Sequence, residues 1–109
     1  MIERRKGIDR RNSERLKANI QIEWEGLIGK KDGTINDLST LGCFILCSGE
    51  VDDGEQVKIF FPLTDGRKIL IWGEVVNHVI EIGFALRFIE LSKTQEEFLE
   101  VFVDTLRED

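Results

Sequence analysis

From Lys17 onward apolar and polar residues alternate, with Ile20, Ile22 and Trp24 on one side and Asn19, Gln21, Glu23 and Glu25 on the other. Successive side chains of an extended chain point to opposite faces, so this spacing predicts a half-buried β-strand. Lys30-Lys31-Asp32-Gly33 follows, and an Asp-Gly pair favours the positive backbone angles of a tight hairpin. A turn is therefore expected there, with the first strand paired antiparallel to Thr34-Ile35-Asn36-Asp37. The apolar run Cys43-Phe44-Ile45-Leu46-Cys47, bounded by glycines, predicts a buried third strand, and Gly49 to Gly54 an acidic turn. Gln56 to Phe61 reads as a fourth strand stopped by Pro62, which has no N–H for a continuing ladder. Asp65-Gly66 opens a further hairpin into the β-branched stretch Lys68 to Val76, and Ile80 to Phe88 supplies a sixth strand. Gly73 and Gly83 stand inside these runs and read as bulges or bends that curve the sheet.

After Leu91 the period changes. Ser92 and Gln95 have the spacing of a capping box, and Phe98, Leu99, Phe102, Val103 and Leu106 fall on one helical face. A helix from about Thr94 to Arg107 is expected to close on the sheet, with a groove on a partner protein as the alternative resting place for its apolar face. Six strands of this spacing followed by one helix point to a small, mainly β barrel.

The chain has 109 residues, the size of one compact domain. The pattern divides it into an arm (1–16), a barrel (17–91) and a C-terminal helix (92–109). No apolar run is long enough to span a membrane and the N-terminal stretch is polar, so a soluble, cytoplasmic protein with no membrane insertion is expected. Cys43 and Cys47 lack the neighbouring Cys or His residues of a zinc site and read as small core residues. His78, the single histidine, has no evident nucleophile or carboxylate partner. With no paired acid and base and no metal cluster, an enzyme is not expected, and neither is a cofactor.

The net charge of −6 conceals an asymmetry. Residues 1–18 carry seven basic and three acidic side chains, whereas the other 91 carry eight basic and 18 acidic ones. An arginine-rich arm thus precedes an acidic body. Read alone, such an arm is either a solvated tail or an anion-binding element, since guanidinium groups offer paired donors to phosphate and to the O6/N7 edge of guanine. The acidic body disfavours long nucleic acid and leaves a compact, multiply phosphorylated ligand as the better match.

Two motifs sharpen this. Arg11 and Arg15 form Arg-x-x-x-Arg just before the first strand, and Asp37-Leu38-Ser39-Thr40-Leu41-Gly42 is Asp-x-Ser-x-x-Gly. Together with Gly73-Glu74-Val75 and the stretch Gly83 to Phe88, they resemble the signature of the PilZ domain family over nearly the whole chain. The resemblance implies a bacterial receptor for cyclic di-GMP. It also implies a six-stranded antiparallel PilZ-type β-barrel with a flexible basic N-terminal arm that folds over the nucleotide, and a C-terminal α-helix. The implied ligand-binding residues are Arg10, Arg11, Arg15, Asp37, Ser39 and Gly42. Arg11 and Arg15 would meet phosphate and guanine, Asp37 the guanine N1 and N2 donors, and Ser39 would donate a hydrogen bond, while Gly42 permits a turn or a close approach. An arginine at position 10, directly before the motif, implies a stacked pair of nucleotides, whose doubled phosphate charge a further guanidinium would offset.

The expected mechanism is ordering of the arm on nucleotide binding, which changes the surface offered to an unidentified protein partner. Two rivals stand beside it: a nucleotide-independent protein-interaction adaptor on the same barrel, and a binder of single-stranded nucleic acid.

Overall fold

The computed structural model describes residues 14–107. Six strands precede one helix: β1 (Leu16–Gly26), β2 (Gly29–Leu38), β3 (Gly42–Leu46), β4 (Gln56–Pro62), β5 (Lys68–Val79), β6 (Gly83–Phe88) and α1 (Lys93–Arg107). The strands close into an antiparallel barrel in the order β1-β2-β3-β6-β5-β4, with β4 returning to β1 through the pairs Glu23 with Phe60 and Trp24 with Ile59. Closure gives every strand two neighbours, although β1 and β4 pair over only three residues.

The alternation in β1 has the predicted sense, with Ile22 and Trp24 buried and the intervening residues facing outward. Trp24 is fully buried, its ring meeting that of Phe84 edge-on at 5.0 Å. The core otherwise takes one face of each strand, including Ile35 and Leu38 of β2, Cys43 and Ile45 of β3, Val57, Ile59 and Phe61 of β4, Ile71 and Val75 of β5, and Leu86 of β6.

The first hairpin departs from the sequence expectation. Its turn is at Leu27-Ile28 between paired Gly26 and Gly29, while Asp32 and Gly33 lie within β2 opposite Glu23 and Ile22. Gly29 supplies the positive φ of 117° that this turn requires. Gly33 is needed for space instead, because a Cβ there would lie 2.8 Å from Ile45 Cγ2 and 3.2 Å from the Trp24 ring. Two apolar residues at a turn are concealed in a sequence pattern, whereas Asp-Gly advertises one.

Smaller corrections concern the later strands. β5 runs on to Val79, so the last hairpin turns at residues 80–82 and β6 begins at Gly83 rather than at Ile80. Neither Gly73 nor Gly83 marks a bulge: the register shift between β5 and β6 falls between Val75 and Asn77. A Cβ on Gly73 would collide with the Leu86 side chain and one on Gly83 with the Ile45 carbonyl, so both glycines serve close packing.

Helix α1 begins with the expected capping box: the Ser92 N–H donates to Gln95 Oε1 (2.8 Å) and the Gln95 N–H to Ser92 Oγ (3.1 Å). Gln95 Nε2 also donates to the Leu70 carbonyl at 2.8 Å, tying the helix start to β5. Leu99 and Val103 are buried, and Phe98 and Phe102 meet the Phe61 ring edge-on at 5.9 and 6.1 Å. The apolar helix face therefore packs on the barrel. Among the described residues no helix is long and apolar enough to cross a membrane.

Candidate functional site

The segment after β2 builds the site. Asp37 sits near the end of that strand, opposite Lys17 on one side and Phe44 on the other. Register shifts flank it on both, between Lys17 and Ile20 on β1 and between Ile35 and Asp37 on β2. Such irregularities re-aim side chains, and here the carboxylate meets the chain entering β1. Arg15 Nη1 donates to Asp37 Oδ1 at 2.6 Å, with side-chain exposures of 46% and 26%. The pair joins the two sequence motifs across 22 positions. An ion pair this exposed contributes only about 0.2–1 kcal/mol, so its position matters more than its strength.

Ser39 is 3% exposed and organises the β2–β3 loop. Its hydroxyl oxygen accepts the Leu41 N–H (3.0 Å) and the Gly42 N–H (3.2 Å), and its own N–H donates to the Gly42 carbonyl at 2.9 Å. The Phe88 N–H donates to the Leu41 carbonyl at 2.9 Å and anchors the loop against the end of β6. Gly42 pairs with Arg87 across β3 and β6, where a Cβ would land on the Leu86 carbonyl oxygen. Glycine is therefore demanded by backbone approach.

These features open onto one groove of about 270 Å³, lined by Arg15, Ser39, Leu41, Gly42, Val76, Ala85, Leu86 and Arg87. Its size falls just below the roughly 300–1,000 Å³ of pre-formed small-molecule sites. Arg15, Ser39 and Gly42 thus share one concavity, and Asp37 meets it through its bond to Arg15. Arg10 and Arg11 lie outside the described residues. Glu14, next to Arg15, is 3.8 Å from Arg107 of α1, so the base of the arm touches the end of the helix.

Leu41, Val76 and Arg87 were not singled out from the sequence. Leu41 and Val76 are exposed aliphatic side chains, and Arg87 Nη2 donates to Glu74 Oε1 at 2.6 Å. Strand alternation in β6 turns Arg87 outward, but only the pairing of β6 with β3 brings it beside the Ser39–Gly42 loop. Two guanidinium groups, each bonded to one carboxylate (Arg15 to Asp37, Arg87 to Glu74), and aliphatic walls suit a flat ligand bearing phosphate: the cations meet phosphate while apolar surface and guanidinium planes face the base.

The cysteines are free. Cys43 is a core residue whose thiol is pushed up to about 12 by burial. Cys47 is half-buried and shifted upward for the same reason. Among the described residues no group of His, Cys, Asp and Glu is arranged to hold a metal ion.

A closed barrel of this topology with a charged surface groove defines a small antiparallel β-barrel domain. The model of the PilZ domain matches residues 9–105, and the chain belongs to that family. Comparison with curated protein sequences gives no match. Among solved structures, the PilZ domain of CeSA from a cellulose-synthesizing bacterium is 22% identical with a TM-score of 0.71, over 88% of this chain and 100% of that one. The PilZ domain of YcgR from Escherichia coli, solved with c-di-GMP, is 18% identical with a TM-score of 0.71, over 90% and 92% of the two chains. The inhibitor of motility MotI (DgrA) of Bacillus subtilis is 15% identical with a TM-score of 0.72; this chain covers 53% of its length and is itself covered over 92%. At these identities the likeness is one of fold.

Proposed function

We propose that this chain is a cyclic di-GMP receptor whose nucleotide lies in the groove between the Ser39–Gly42 loop and the outer face of β5 and β6. The observation that carries the reading is the Arg15–Asp37 bond at 2.6 Å beside that groove, which joins the two halves of the motif pair at one place. The fold likeness to a PilZ domain solved with c-di-GMP supports it.

In this mechanism Arg15, together with Arg11 and Arg10 from the arm, engages the phosphates and the O6/N7 edge of guanine. Asp37 accepts from the guanine N1 and N2 donors. Ser39 and Gly42 act chiefly by holding the loop, since the Ser39 oxygen is already occupied by two backbone amides. The arm, joined to the barrel at Arg15, gains order as its guanidinium groups find the ligand, and part of the binding free energy is spent on that ordering. The altered surface is then read by a protein partner.

Isothermal titration with cyclic di-GMP, with GMP and cyclic di-AMP as controls, tests this on the wild type and on Arg15→Ala. Saturable wild-type binding lost in the variant supports the receptor, and two nucleotides per chain support the stacked pair that Arg10 implies. No binding up to about 100 μM, or less than about 5.5 kcal/mol, refutes it and leaves the nucleotide-independent adaptor.

A further inference from the structure

The end of the barrel formed by the β1–β2 and β5–β6 turns carries a second groove of about 380 Å³, lined by Leu27, Ile28, Glu50, Val51, Asp52, Glu55, His78 and Ile80. β1 begins directly after Arg15 and ends at this turn, so the groove lies at the far end of the strand from the Arg15–Asp37 pair. Leu27, Ile28 and Ile80 are 82%, 60% and 74% exposed, and Ile82 and Leu46 are also exposed, with the Cys47 N–H donating to the Ile82 carbonyl between them. Isolated exposed aliphatic residues are ordinary; three of them lining one concavity at the end of a small domain are not.

The turn that bears Leu27 is held in place. Glu55 Oε2 accepts the Leu27 N–H at 2.8 Å and its Oε1 accepts the Asp52 N–H at 3.0 Å, while the Gly54 N–H donates to the Val75 carbonyl at 2.7 Å. The apolar side chains are thus presented on anchored backbone. His78 adds a polar group whose Nε2 is buried and has no hydrogen-bond partner among the described residues.

Charge decides the occupant. Glu50, Asp52 and Glu55 line the groove, and Glu81 stands at the tip of the adjoining turn between Ile80 and Ile82. Carboxylates there repel phosphates and anionic lipid, and two copies meeting symmetrically through this face would set the same acids against each other. We infer that this groove docks a segment of a partner protein in which apolar side chains are flanked by Lys or Arg: the aliphatic residues fill the concavity and the cations meet Glu50 and Asp52. The site is independent of the cyclic di-GMP reading, because it shares no residue with the Arg15 groove.

The test is selection of short peptides from a random displayed library on the full chain, followed by titration of the enriched peptides against two double variants. Leu27→Ser/Ile80→Ser removes apolar surface from exposed turn positions, and Glu50→Lys/Asp52→Lys reverses the rim while sparing Glu55, which holds the backbone. Folding is checked by near-ultraviolet circular dichroism. Enriched peptides combining apolar and basic residues, weakened about tenfold or more by each double variant, are the expected result. Absence of enrichment, peptides without basic residues, or affinities indifferent to both variants would overturn the proposal. So would a concentration-dependent dimer in sedimentation, or binding to phosphatidylcholine vesicles, that Leu27→Ser/Ile80→Ser abolishes; these assign the face to a second copy or to a membrane.

Discussion

Replacing Ser39 by Ala separates two roles that one residue can play in a nucleotide site. The Ser39 hydroxyl oxygen accepts the N–H groups of Leu41 and Gly42, the first half-buried and the second buried. Water can reach Leu41 when the oxygen is removed, but the Gly42 N–H lies in a buried turn with the β3–β6 pairing directly behind it. The expected cost is that of one stranded buried donor together with the lost bonds, about 1–3 kcal/mol. For a domain near 100 residues this lowers Tm by roughly 5–15 °C, at about 5 °C per kcal/mol. Urea denaturation followed by Trp fluorescence measures the change directly, with the slope expected to stay constant because the folded and unfolded surfaces are unaltered. A Ser39→Ala protein with wild-type Tm and urea midpoint that nevertheless loses cyclic di-GMP would refute the argument, for it would make Ser39 a ligand contact with no part in building the loop.

Other expectations follow from the same geometry. Arg15→Ala removes only an exposed pair, so its unfolding free energy from urea denaturation should fall by no more than about 1 kcal/mol while cyclic di-GMP titration is lost; a large stability loss would mean that the pair is structural. Phe61→Ala deletes the buried ring that meets Phe88, Phe98 and Phe102, and calorimetry should find a loss of about 3–5 kcal/mol together with earlier protease cleavage of α1. Because burial raises the Cys43 thiol from its ordinary 9.0 to about 12, the neutral form is favoured in the folded chain. That contribution to stability is complete below about pH 9 and is lost as pH rises towards 12, so urea midpoints should fall across this window less steeply in Cys43→Ala. At about pH 8 iodoacetamide should label half-buried Cys47 slowly and Cys43 only after unfolding, as read by mass spectrometry.

Local pattern carried a large share of the fold. Alternation in β1, the apolar run of β3, and the change of period at Ser92 were each legible because a strand or helix with one buried face imposes its own spacing on the residues that fill it. The two motifs were legible as residue types at fixed intervals. The sequence by itself therefore determined six strands, a closing helix and a capping box, and the family resemblance carried by its two motifs implied the candidates Arg10, Arg11, Arg15, Asp37, Ser39 and Gly42.

What only the tertiary structure decided is what depends on neighbours distant in the chain. The first hairpin turns at Leu27-Ile28 rather than at Asp32-Gly33 because Gly33 must lie flat against Trp24 and Ile45, a demand of packing that outweighs local turn preference. Arg87 joins the groove because β6 pairs with β3, and no spacing within β6 encodes that pairing. Ser39 sits inside its loop, held by the amides of Leu41 and Gly42, and Gly42 is fixed by a carbonyl from the opposite strand. Side-chain periodicity is a property of one element, whereas register, closure and shared concavity are properties of several, and they are set by whichever arrangement buries the common core with every backbone group paired.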